Sequence, residues 1–212
     1  MSKHIIKINS ENKNLSKDLE IFNKDFAIEK FDLNKVLPNP AIFDTTKLLW
    51  MNGQYIRNIK KDDFIESALL TIESNLDREL FEKEIYRLNK IMPSVQERLE
   101  TLNDLIPQVK FLLDEPFYIN EEDWNSVNTP EGQEYLSSIR EKFKTLNEFS
   151  LTNIENLMRD ELKAKELKPK VGFQIARVSI TGTKISPPLF ESIYALGKEG
   201  TLARLAETIE NL

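Results

Sequence analysis

The run Asp63-Phe64-Ile65-Glu66-Ser67-Ala68-Leu69-Leu70-Thr71-Ile72-Glu73-Ser74-Asn75-Leu76-Asp77-Arg78-Glu79-Leu80 sets the fold class. Phe64, Ala68, Ile72, Leu76 and Leu80 recur every four residues, which is one buried face of an α-helix and not the alternation of a strand. Asp63 with Glu66 gives a capping-box-like start. The same grammar repeats downstream. Ser94 with Glu97 is a second capping box, directly after Pro93. Leu99, Leu102, Ile106, Val109 and Leu113 follow at spacings of three and four, with Pro107 expected to bend or divide the helix. Thr129-Pro130 places a capping residue before a proline suited to the first turn, and Leu136, Ile139, Phe143 and Leu146 form the face behind it.

The last third reads likewise. Thr152 and Glu155 are expected to cap a helix carrying Ile154, Leu157, Met158 and Leu162. Pro169 blocks its continuation, and another helix is expected from about residue 171 to residue 181, closed by Gly182. Ser186-Pro187 opens a short helix that Gly197 ends, and Leu202, Leu205, Ile209 and Leu212 line a final one. Strand signals are scarce, because Val178-Ser179-Ile180-Thr181 lies inside a helical pattern. The expected fold is all-α, with eight or more helices in two packed helical bundles joined near residues 85–120. Residues 1–20 are polar and are read as a flexible tail, residues 21–100 as one subdomain and residues 101–212 as a second.

Composition narrows the chemistry. The 212 residues include no cysteine, which excludes disulfides, thiol catalysis and Cys-rich zinc sites. The one histidine, His4, lies in the polar start, so a Ser-His-Asp arrangement is not expected. No phosphate-cradling glycine loop is present, and Glu121-Glu122-Asp123 reads as a solvated turn. No apolar run nears the ~20 residues that cross a bilayer, and the start is too polar for a secretory signal, so a cytoplasmic protein is expected. The net charge of −6 argues weakly against a polyanionic partner. Against it stands a local basic stretch of Lys163, Lys165, Lys168, Lys170, Arg177 and Lys184 with one acid, Glu166, readable as a solvated helix end or as a phosphate contact.

Two further segments carry a family likeness. The first runs Pro40-Ala41-Ile42-Phe43-Asp44-Thr45-Thr46-Lys47-Leu48-Leu49-Trp50-Met51-Asn52-Gly53-Gln54-Tyr55-Ile56-Arg57. The second runs Val171-Gly172-Phe173-Gln174-Ile175-Ala176-Arg177-Val178-Ser179-Ile180-Thr181-Gly182, followed by Ser186-Pro187-Pro188-Leu189-Phe190 and Ala195-Leu196-Gly197-Lys198-Glu199. Together they closely resemble the C-terminal, anticodon-binding region of bacterial-type glutamyl-tRNA synthetases, in family order and across roughly residues 20–212. The resemblance implies a module that binds tRNA-Glu. Its site residues would be Arg177 at a base edge or phosphate, the Ser186, Pro187 and Leu189 corner against the anticodon loop, Arg98 at the last anticodon base, and Arg57, Lys47 and Gln54 on the backbone. Read from the residues alone, Phe43, Leu48, Trp50 and Tyr55 are core, Asp44 is a helix cap, Asn52-Gly53 is a turn and Arg177 is a salt-bridge partner.

The family's His-Ile-Gly-His-like and Lys-Met-Ser-Lys-like motifs are not found. Asn14-Leu15-Ser16-Lys17 mimics the second by chance, since it stands too close to Phe43-Asp44. The expectation is therefore a monomeric chain that binds RNA but does not aminoacylate alone. It would need no cofactor of its own, with ATP and Mg2+ implied only for a catalytic half; in a second reading that half is a separate chain of a split synthetase. The competing reading is a helical protein-interaction or regulatory module that kept the fold without RNA binding.

Overall fold

The computed structural model describes residues 21–35, 43–114 and 116–210. The expected tail at residues 1–20, the Pro40-Ala41-Ile42 start of the first family segment and Leu212 lie outside them. Among the described residues there are helices and no strands. They run α1 (Lys24–Lys30), α2 (Thr45–Arg57), α3 (Lys61–Leu76), α4 (Glu82–Gln96), α5 (Leu105–Val109), α6 (Glu121–Val127), α7 (Pro130–Thr145), α8 (Leu151–Ala164), α9 (Pro169–Thr181) and α10 (Leu189–Glu210). Short 3-10 turns lie at Leu33–Lys35, Leu102–Asp104 and Lys110–Leu112.

Local chemistry explains most of the boundaries. Thr129 accepts from the Gly132 N–H at 3.1 Å, and Pro130 occupies the first turn of α7 as its sequence predicts. Gly182 closes α9 with φ 82°, and a Cβ there would stand 2.5 Å from the Tyr118 carbonyl oxygen. Gly197 breaks α10 into two segments with φ 83° and ψ 166°. Lys198, next to it, donates from Nζ to the Lys144 and Leu146 carbonyls at 2.9 and 2.8 Å, satisfying the C-terminal end of α7.

Other boundaries differ from the sequence reading. No helix begins at Ser94, because Pro93 sits inside α4 on its exposed side while Leu88, Ile91, Met92 and Val95 are buried. The packing of that face outweighs one lost backbone hydrogen bond. Helix α3 starts at Lys61, so Asp62 and Asp63 fill its first turn, where acids complement the helix dipole. It ends at Asp77 in the left-handed region (φ 53°), so Leu80 reaches the core from the following loop. The cap of α8 is Ser150, whose Oγ accepts from the Asn153 N–H, not Thr152. Asn52-Gly53 is no turn but the middle of α2.

Buried residues from Ile56 to Leu205 form one hydrophobic cluster. Helix α10 packs on α4, α7, α8 and α9 and so touches both parts of the chain.

Candidate functional site

The end of α4 brings most of the sequence-predicted residues together. Arg98 follows α4 directly and donates from Nη1 to the Ser186 carbonyl at 3.2 Å. Arg177, on α9, donates from Nη1 to Ser186 Oγ and to the Pro187 carbonyl, both at 2.6 Å. Two guanidinium groups thus converge on one two-residue corner just ahead of α10. Burial pushes the Arg177 guanidinium below its ordinary range, the nearby Arg98 adds to that, and Glu191 opposes it. Two cations are held against one another without a carboxylate bonded to either, since among the described residues neither forms an ion pair. Such a pair of half-exposed and exposed Arg side chains suits an incoming anion.

Ser186, Pro187 and Leu189 are all buried. Their part in this corner is to present oxygens that fix the guanidinium groups and, for Leu189, to anchor α10 in the core. The first turn of α10 already carries Glu191, and Ser192 returns N–H and Oγ bonds to the Pro188 carbonyl, both at 2.9 Å.

Lys47, Gln54 and Arg57 lie on α2. Arg57 donates to the Glu97 carbonyl at 3.4 Å, which links it to the residue beside Arg98. With its oxygen turned to the neighbouring donors, the Gln54 amide accepts from Arg57 Nη2 at 3.0 Å and from Trp50 Nε1 at 3.3 Å. Asn52 Nδ2 donates to the Glu100 carbonyl, and a Cβ on Gly53 would stand 2.9 Å from the Leu99 carbonyl oxygen. From the other side, buried Gln96 donates to the Ile56 and Ile59 carbonyls, both at 2.9 Å. The Trp-Met-Asn-Gly-Gln-Tyr-Ile-Arg segment is therefore the joint that docks α2 on the end of α4. Lys47 stands apart from it, exposed at the start of α2, where its N–H bonds the capping carboxylate of Asp44 at 3.0 Å.

Two expectations change here. Phe43, Leu48, Trp50 and Tyr55 are not core: their exposures are 81%, 43%, 42% and 41%. Helix α2 buries only Gly53 and Ile56, so its long apolar side chains face outward or lie across its joint. Tyr55 uses its hydroxyl on the Phe22 carbonyl at 2.9 Å. In the basic stretch, Lys163 pairs with Asp160, Lys165 with Glu134 and Glu161, and Lys184 with Asp123. These ion pairs make half of that stretch a structural feature. Arg177, the fifth of its six cations, is the one that reaches the corner.

The sequence reading missed Arg159, Phe173 and its cluster with Phe190. The two rings meet edge-to-face at 5.3 Å, and the Arg159 guanidinium lies 5.5 and 5.4 Å from their centroids. Phe173 precedes Arg177 by four residues on α9, so both lie on one face. That spacing was the available signal.

The family model of the anticodon binding domain matches residues 63–209. The chain belongs to that family. It is 31% identical over 194 residues to glutamate–tRNA ligase 2 of Caldicellulosiruptor saccharolyticus, covering 91% of this chain and 40% of that protein. To the glutamate–tRNA ligase of Symbiobacterium thermophilum it is 34% identical over 189 residues, covering 88% and 39%. A solved glutamate tRNA ligase of Elizabethkingia meningosepticum shares the fold with TM-score 0.76 at 24% identity, over 89% of this chain and 36% of that one. The structure from Elizabethkingia anophelis does so with TM-score 0.71, also at 24% identity, over 88% and 36%. The chain thus spans about 40% of the length of the curated relatives it matches. Among the described residues, no helix is long and apolar enough to cross a membrane.

Proposed function

We propose that this chain binds the anticodon loop of tRNA-Glu and so serves the ATP-dependent attachment of glutamate to that tRNA. The carrying observation is the convergence of Arg98 and Arg177 on the Ser186–Pro187 corner with no carboxylate bonded to either. Each guanidinium is oriented by carbonyl or hydroxyl oxygens, and although Glu191 partly offsets Arg177, two adjacent cations share no bonded carboxylate and can take an anion from outside. A phosphate or the acceptor edge of an unstacked base meets that demand, and recognition of single-stranded loops by splayed bases and Arg planes is the common mode for RNA. Arg57 and Gln54 support the corner by fixing the end of α4, and Lys47 supplies a further backbone contact. ATP and Mg2+ would belong to the activation step and not to this corner.

The test is a competition titration between a tRNA-Glu transcript and one with a changed anticodon. Arg98→Gln and Arg177→Lys are measured beside the wild type. The expected result is preference for the native anticodon, reduced by both substitutions. Equal affinity of the wild type for the two transcripts would refute the reading. It would favour the interaction-module alternative, to which the exposed Phe43, Leu48 and Trp50 and the net charge of −6 lend support.

A further inference from the structure

The end of α4 and the start of α10 pack in antiparallel sense beside the corner: just past α4 Arg98 meets Ser186 just ahead of α10, and eight residues away along each, Lys90 on α4 meets Tyr194 on α10. Lys90 Nζ lies 4.2 Å from the centroid of the Tyr86 ring and 4.5 Å from that of the Tyr194 ring. Among the described residues, no carboxylate pairs with it. This sets it apart from its neighbours on the same helix, Lys83 and Arg87, which share Asp114. Tyr86 is 64% exposed although its ring touches the lysine.

Tyr86, Lys90 and Ser94 follow one another on α4 at intervals of four, the spacing of a single ridge on a helix surface, and Arg98 lies in the turn just past the helix end. At 1.5 Å per residue, Lys90 stands roughly 9 Å along α4 from its end at Gln96, and Arg98 follows two residues later. Lys90 on α4 therefore leads to the Arg98–Arg177 pair at Ser186, three cations that form no ion pair among the described residues in a protein whose net charge is −6. Elsewhere on the surface, the Lys and Arg side chains of α7 and α8 are mostly tied to acids.

We propose that Tyr86, Lys90 and Tyr194 form a second RNA contact, a sugar-phosphate backbone grip roughly two helical turns back along α4 from the anticodon corner. The two rings hold the ammonium group in place by cation–π attraction. That leaves an oriented, uncompensated charge on the α4 ridge for a phosphate oxygen, and exposed Tyr86 beside it for a ribose or its hydroxyl. Such a contact sets register without reading sequence. The proposal rests on the RNA-binding reading above, and the two fail differently.

The experiment titrates wild type, Lys90→Gln and Lys90→Arg with the tRNA-Glu transcript and with the changed-anticodon transcript, across a series of salt concentrations. Lys90→Gln is expected to weaken both RNAs by the same factor, roughly threefold to tenfold at low salt. It should lower the slope of log affinity against log salt by about 1, because one phosphate contact is lost. Lys90→Arg should restore the slope. If Lys90→Gln binds both RNAs as the wild type does and changes only the melting temperature, the ring–lysine cluster is a clasp between helices and the proposal is overturned. If the wild type does not distinguish the transcripts but Lys90→Gln still lowers the slope, the anticodon reading fails and the backbone grip stands. Absence of any RNA binding by the wild type overturns both.

Discussion

Glu84 shows how a single buried charge is made tolerable. Fully buried at the start of α4, it accepts from Arg78 at 2.9 and 2.8 Å, from the Phe81 N–H at 2.8 Å and from the Asp114 N–H at 2.7 Å. Burial alone would raise its pKa; the Arg78 bond and then the two backbone bonds outweigh it and hold the carboxyl at about 2, below the ordinary 4.5. A depressed folded-state pKa contributes stability that is full above pH 4.5 and fades as pH falls towards 2. The difference corresponds to about 3 kcal/mol. Unfolding free energy measured between pH 6 and pH 2 is expected to fall by that order through this group, and Glu84→Gln should flatten this part of the curve. Substitution should also cost about 3 kcal/mol at neutral pH, because the amide lacks the charge and puts a donor in place of one of the two acceptor oxygens that Arg78 and the two N–H groups share. At the corner, Arg177→Ala removes the donor held by Ser186 and Pro187 and is expected to weaken RNA binding most, with a smaller loss of stability read by thermal melting.

At the scale of elements, glycines and caps decide how helices meet. Gly182→Ala is expected to destabilise by about 1–3 kcal/mol, since a side chain at φ 82° is strained and its Cβ would collide with the Tyr118 carbonyl. The loss should appear in the melting temperature. Lys198→Met is expected to cost about 1–3 kcal/mol by unpairing the two carbonyls at the end of α7. These features were legible in the sequence. Gly182 and Gly197 stand where a left-handed or extended break is required, and Thr129-Pro130 carries its geometry in its side chains. The Ser94–Glu97 pair misled because a capping motif is local, whereas the burial of Ile91, Met92 and Val95 that carries α4 through Pro93 depends on distant helices. Ser150 and Thr152 are both competent caps, and only the observed chain path chooses between them. The Asn52-Gly53 pair looks like a turn in isolation. In the fold it is the close approach of α2 to the Leu99 carbonyl, a contact that no one-dimensional pattern encodes.

Across the whole molecule, charge is divided by neighbourhood. Cations on α7 and α8 answer nearby acids, while Lys90, Arg98 and Arg177 answer rings, carbonyls and a hydroxyl. A phosphate-binding face can therefore exist on a chain of net charge −6. The family resemblance marked Arg177 and the Ser186–Pro187 corner, whereas the residues alone read Arg177 only as a salt-bridge partner. Their meeting with Arg98, and the lysine between two tyrosines, required the antiparallel pairing of α4 with α10. The corner links both parts of the sequence, so affinity should depend on the integrity of that pairing. Nuclease footprinting of a tRNA-Glu transcript with the intact chain tests the central claim most directly. The account predicts protection centred on the anticodon loop and extending into the adjacent stem, and lost with Arg177→Ala. Protection confined to the acceptor stem, or an unprotected anticodon loop under conditions where the RNA is bound, would contradict it.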